Sequence, residues 1–158
     1  MNKYRITYPN NKEVRDDTSR TTKSLNVKYR GKFEDVKVYE TNLLCSGKYK
    51  YGVSLPPSKI VVGTGAYNNS NFLDLLQHEY GHILQAKVFG LKAYYGIIAP
   101  ASLKSMSTNS SMHYKYWTEI LANNFAKKYF TYDYALSKYF PQGNVKLPWS
   151  LVVLSLIR

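Results

Sequence analysis

Residues His78-Glu79-Tyr80-Gly81-His82 set two histidines four positions apart with a glutamate directly after the first, and no other stretch of the chain constrains it as tightly. The run lies inside a helical pattern, with Phe72, Leu75, Leu76, Ile83, Leu84 and Val88 at helical spacing. Asn68-Asn69-Ser70-Asn71 offers N-caps ahead of it, and Gly90 a stop after it. Positions i and i+4 lie one turn apart on one face of a helix, so both imidazoles can reach a single metal ion. Glu79 is rotated about 100° from His78, which puts it beside such an ion, where a carboxylate can take and return a proton. Gly81 costs a helix interior about 1 kcal/mol. That cost makes sense where something must approach the helix closely just before the second histidine.

Two histidines do not complete a catalytic zinc site, which takes three protein ligands and leaves a fourth position to water. Candidate third ligands are few. After Glu40 the only acidic side chains are Asp74, Glu79, Glu119 and Asp133. Asp74 sits one turn before His78, and three consecutive turns of one straight helix cannot converge on one ion. Asp133 follows a second helical pattern, about His113 to Phe130, in a segment without clear framework, and Cys45 lies in the extended N-terminal region. His113 and Glu119 remain. Glu119 is favoured, because a carboxylate mid-helix on a half-apolar surface needs a reason and Ala122 keeps that face thin; pairing with Lys115 is the rival explanation. Asn123, four residues on, is placed to hydrogen-bond the second nitrogen of a ligating histidine. His113 stands as an alternative ligand or an oxyanion donor, a role also open to Tyr80, Tyr114 and Tyr116.

The rest of the chain frames this segment. Its 158 residues suit one domain. Residues 1–65 read as mostly β, 71–130 as the helical part and 131–158 as an irregular tail with one or two short elements. Alternation marks Tyr4 to Tyr8, Leu25 to Tyr29 and Val36 to Tyr39 as strands, with Asn10 to Lys23 a polar loop and a hairpin centred near Gly31. Leu91 to Met112 reads as a mixed connection. Lys59 to Gly63 is a further strand and the candidate edge along which an extended peptide substrate would lie. A lone cysteine excludes an internal disulfide, and Cys45 is expected to be buried. The net charge of +12 points to an acidic substrate or partner surface. Met1 to Arg15 has no apolar run, and Leu147 to Ile157 falls short of the roughly twenty apolar residues of a spanning helix. The expectation is a soluble, by default cytoplasmic, protein.

His78 to Gln85, followed by Trp117-Thr118-Glu119-Ile120-Leu121-Ala122-Asn123, resembles the zincin-like metallopeptidases of the Glu-ligand branch. Glu119 to Ala126 is similar to the second motif of ImmA/IrrE-type peptidases. The fuller start, with Ala99-Pro100-Ala101-Ser102 between the motifs, looks more like bacterial domains some of which end Rhs-type repeat proteins. The resemblance covers about residues 59–130. It implies an α+β zincin-like fold, with a small, mostly antiparallel sheet packed on the active-site helix and on a second helix bearing the glutamate. It also implies one zinc held by His78, His82 and Glu119, with Glu79 as general base. Lys127 to Thr131 lacks the ending usual in ImmA/IrrE-type chains and no helix-turn-helix precedes the motifs, so repressor cleavage does not carry over.

The expected function is zinc-dependent hydrolysis of peptide bonds. Two other classes compete with it: a metal-stabilised binding module without turnover, and a basic nucleic-acid binder using the tyrosines interleaved with Lys and Arg in residues 1–50. Ordinary half-exposed sheet explains that interleaving better, which disfavours the nucleic-acid class.

Overall fold

Alternating apolar residues build the first hairpin: β1 (Val27–Phe33) pairs antiparallel with β2 (Val36–Thr41). The structure is a computed structural model and describes residues 27–46, 49–108, 111–130 and 140–156. The expectations for Tyr4 to Tyr8, for Asn10 to Lys23, for the start of the strand at Leu25, for Asp133 and for the Cys45 side chain lie outside what is described. The hairpin turn is at Glu34-Asp35, not at Gly31, since Phe33 pairs with Val36. Gly31, at φ 124°, takes up a register shift inside β1, a bulge that glycine tolerates because it has no Cβ. The turn is held from below: Tyr80 donates to Asp35 Oδ1 at 2.8 Å and Tyr129 to Glu34 Oε2 at 3.1 Å.

A short helical turn (Asn42–Leu44) and a two-residue pair, β3 (Cys45–Ser46) with β4 (Tyr49–Lys50), lead to β5 (Gly52–Leu55) and β6 (Lys59–Gly63). The four-stranded sheet runs β1-β2-β6-β5, with β2 and β6 parallel and the other two pairings antiparallel. The architecture is thus α+β with a mixed sheet. The sheet also corrects the choice of edge: Lys59 to Gly63 is paired on both sides, and among the described residues β1 and β5 are the edge strands, with β5 the one beside α1.

Gly63-Thr64-Gly65 hands the chain to α1 (Phe72–Phe89). The buried Glu40 carboxylate fixes this passage by accepting from the Gly65 N–H and from Arg30. One flank of α1 meets the sheet through Leu76, Tyr80 and Ile83 against Phe33, Ile60 and Val62. Ala86, near its C-terminal end, packs with Tyr94, Ile98 and Leu151. Leu91 to Thr108, expected as a mixed connection, is helical: α2 (Leu91–Ala93), a π-turn over Tyr94–Ile98 and α3 (Ala99–Thr108). The wide turn ends just before Pro100, which has no N–H for an α-helical bond. The expected helix from His113 is divided. A 3₁₀ turn (His113–Lys115) and extended Tyr116 precede α4 (Trp117–Phe130), which puts Glu119 in the first helical turn and not mid-helix. Past residue 140 the chain has no regular element until α5 (Trp149–Leu156).

A close approach of α1 to α4 explains Gly81. A Cβ built there would lie 2.2 Å from the Ala122 carbonyl oxygen and 2.7 Å from its carbon, so α1 and α4 meet backbone to backbone. No rotamer change relieves that clash. Gly81→Ala is expected to lower stability by about 2–3 kcal/mol, the upper range for overpacking, and to push His78 and His82 away from Glu119. Urea denaturation of the metal-free variant checks the first effect; an unchanged midpoint would show that the helices do not touch there.

Candidate metal centre

Three ligand-type side chains converge where α1 crosses α4. His78 Nε2 and His82 Nε2 lie 3.3 and 3.2 Å from Glu119 Oε2, and these three atoms all fall within 4.8 Å of one another. All three side chains are buried, Glu119 to 2% exposure. Helix geometry supplies the two histidines one turn apart, and the first turn of α4 supplies the carboxylate.

Each imidazole is oriented from behind. His78 Nδ1 lies 2.7 Å from Asn123 Oδ1, and His82 Nδ1 lies 2.7 Å from Gln85 Oε1. The orientation of both amides is set by carbonyls on their far sides: Asn123 Nδ2 donates to Pro141 O and Gln85 Nε2 to Thr118 O, each at 2.7 Å. An amide oxygen only accepts, so Nδ1 carries a proton in both rings, and in a neutral ring the Nε2 lone pair faces Glu119. Phe140 stacks on the His78 ring at 4.7 Å between centroids. The Glu119 carboxylate is oriented too, with Oε1 accepting from Ser102 at 2.7 Å and from Thr118 at 2.8 Å.

Two lone pairs aimed at a buried carboxylate oxygen repel it unless a cation lies among them. The pKa shifts express this. Burial works against a charged His82, but the Glu119 carboxylate overrides it, with Glu79 and Gln85 adding, and holds the imidazole at about 9 instead of 6.5. Burial likewise opposes an ionised Glu119; His82 and His78 override it and keep the carboxyl well below the usual range. A tetrahedral ion with bonds of about 2.0–2.1 Å sets its ligand atoms about 3.3 Å apart, which matches both His–Glu separations. The residues fit a metal ion.

Glu79 lies beside this group. Ser54 Oγ on β5 is 2.6 Å from Glu79 Oε2 and equally from its backbone oxygen. A Cβ on Gly52 would fall 2.5 Å from Glu79 Oε1. The side chain therefore fills space that only glycine leaves on the edge strand. His113 Nε2 comes to 3.7 Å from Glu119 Oε2 but is not one of the three mutually close ligand atoms. Its Nδ1 is 2.5 Å from Ser105 Oγ, and burial, with His78 and His82 adding, lowers its pKa against the pull of Glu119.

Other candidates are not brought to the site. Tyr80 is in the core against Asp35, Tyr116 is exposed, and Lys115 rests over the Tyr114 ring instead of pairing with Glu119. Ser54, Gly52, Gln85, Ser102 and Thr118 escaped the sequence reading. Gln85, a polar residue three positions after His82 inside an apolar run, was the one with a legible signal. Buried Tyr94 was missed as well: its ring is 6.5 Å from that of His82, and burial, with the charges of Glu79 and Glu119, raises its phenol pKa.

The raised His82 pKa has a direct consequence. Its charged form stabilises the metal-free fold fully below pH 6.5, and that contribution is lost as pH rises through about 9. A metal must displace this proton. Zinc binding at pH 7 is expected to release about one proton per ion and to tighten about tenfold per pH unit up to about pH 9. Calorimetry in buffers of different ionisation enthalpy measures the release; none at pH 7 would mean that His82 is neutral in the metal-free protein.

No protein-family model, curated protein or solved structure matches this chain.

Proposed function

We propose that the protein is a zinc-dependent peptidase in which His78, His82 and Glu119 hold the ion and Glu79 is the general base. The observation that carries this is the pairing of a His-His-Glu group, whose two His–Glu separations suit ligands on one ion, with a second, separately held carboxylate. A bound zinc ion supplies a water of lowered pKa and a Lewis acid for the scissile carbonyl. Glu79 takes the proton of that water and returns it to the leaving amine, a transfer its place beside the three ligands allows. Ser54 holds the carboxylate to the edge strand so that it does not swing onto the ion.

The open edge of β5 is the natural seat for an extended substrate. Tyr51 O accepts from the Gly63 N–H, so in the antiparallel ladder Tyr51, Val53 and Leu55 bond toward β6 while Gly52 and Ser54 turn their backbone groups outward. Those two residues are also the ones that touch Glu79, so a peptide pairing with them lies next to the base. An acidic substrate finds support in the exposed Lys32, Lys37 and Lys59, which are successive cross-strand neighbours on the outer face of the sheet. Like charges in such a row repel, and an acidic segment would relieve them. Among the described residues no helix is long and apolar enough to cross a membrane.

Glu79→Gln separates this function from its closest rival. The variant is expected to keep about one zinc per chain and to lose roughly 10²–10⁴-fold in turnover of a peptide library. Full retained turnover would remove Glu79 from the chemistry. Wild-type protein that binds zinc and leaves the library uncut would make the ion structural and the protein a binding module.

A further inference from the structure

We propose that Ser102 and Thr118 make Glu119 a one-oxygen ligand, so that an ion held by His78, His82 and Glu119 keeps its fourth position open, an assignment that rests on the metal site argued above. A carboxylate oxygen has two lone-pair positions. On Glu119 Oε1 both are filled, by the Ser102 hydroxyl at 2.7 Å and the Thr118 hydroxyl at 2.8 Å, while Oε2 alone faces His78, His82 and His113. Two-oxygen ligation would strip hydrogen bonds from Oε1, a costly loss where Glu119 is 2% exposed. It would also add a fourth protein contact and take up the position a water or substrate oxygen needs.

The two hydroxyls do different work. Thr118 is the residue before Glu119 and travels with α4 in any shift of that helix. Ser102 belongs to α3 and ties the carboxylate to an element that α4 does not carry. The same turn of α3 reaches further, since Ser105 donates to the Ser102 carbonyl at 2.9 Å while its Oγ lies against His113 Nδ1. Ala99-Pro100-Ala101-Ser102, a run with no ligand of its own, thereby acquires a part in the site. Ser102 and Thr118 are positioning residues, acting on the ion only through Glu119.

Cobalt(II) substitution reads coordination number directly, because four-coordinate cobalt absorbs visible light several-fold more strongly than five- or six-coordinate cobalt. Wild-type protein loaded with cobalt should give the strong four-coordinate spectrum. Ser102→Ala with Thr118→Val should weaken that absorption several-fold and weaken zinc binding roughly 10–100-fold. Ser102→Thr with Thr118→Ser, which restores both hydroxyls, should return the wild-type spectrum. Should the first pair fail to fold by circular dichroism, Ser102→Ala alone, on the half-buried face of α3, is expected to give a smaller change in the same direction. Unchanged spectrum and zinc affinity in the folded hydroxyl-free variants would overturn the assignment. A wild type that takes up neither cobalt nor zinc overturns the metal site and this assignment together; a wild type that binds both but cuts no peptide leaves the coordination assignment standing and removes only the peptidase function.

Discussion

The contact of α1 with α4 at Gly81 and Ala122 is the constraint on which the rest of the structure depends. A helix carrying any side chain at position 81 would be held away from its neighbour by that side chain's width, and the His–Glu separations of 3.2–3.3 Å would open by a comparable amount. Ala122 completes the arrangement from the other side, being fully buried and small. Glu119 and Asn123 flank it one turn apart, so one crossing point delivers the carboxylate to both histidines and the Asn123 amide to His78. The penalty for a glycine inside a helix is met by burial: α1 is covered on nearly all sides, which compensates a loss of about 1 kcal/mol in intrinsic propensity.

That crossing would be a poor design without a cation. A carboxylate at 2% exposure with imidazole nitrogens at 3.2 and 3.3 Å from one of its oxygens carries a heavy desolvation cost, and an unpaired charge there would be destabilising by several kcal/mol. In the metal-free protein the cation is a proton, held on His82 up to about pH 9 by Glu119. The surrounding amides and hydroxyls prevent the group from relaxing in any other way. Asn123 and Gln85 keep the Nδ1 positions engaged, and Ser102 and Thr118 keep Glu119 Oε1 engaged, which leaves the two Nε2 atoms and Glu119 Oε2 turned to one common centre. A proton neutralises one nitrogen of that centre. A divalent ion satisfies all three atoms.

How much of this is legible in the sequence follows from the range of the interactions. The two histidines and Glu79 are separated by less than two helical turns, so their mutual placement is fixed by the helix alone and reads directly from spacing. Glu119 and Asn123 need a tertiary contact, and the small residues Gly81 and Ala122 are the sequence trace of it. Strand assignment fails where chemistry is non-local. Gly31 resembles a turn residue but serves a bulge, while Glu34-Asp35 turns because Tyr80 and Tyr129, far along the chain, hold it. Lys59 to Gly63 has the pattern of any half-buried strand, and only the pairing order reveals that it is interior. Ser54, Ser102 and Thr118 carry no periodic signal at all, because a hydroxyl is equally suited to a solvated surface and to a buried carboxylate.

The edge strand and Glu79 form one unit, and this bears on how a substrate would be aligned. Ser54 contributes its hydroxyl to Glu79 and its outward backbone groups to the strand's edge, so on the proposed function the same residue would register a bound peptide and hold Glu79. Gly52 contributes absence: with a side chain there, the Glu79 carboxylate would be displaced from the strand. The spacing of two between these residues is the period of a strand, and both therefore face α1 while Val53 and Leu55 face away. A peptide added to β5 would inherit that alternation. Its backbone position relative to Glu79 would be set by main-chain hydrogen bonds, independent of its sequence, whereas alternate side chains would fall on the outer face toward Leu55 and its cross-strand neighbour Lys59. On the proposed function, alignment would come from the outward main-chain groups of one four-residue strand and selectivity from its outer face, a division open to an edge strand and not to β6, which is paired on both sides.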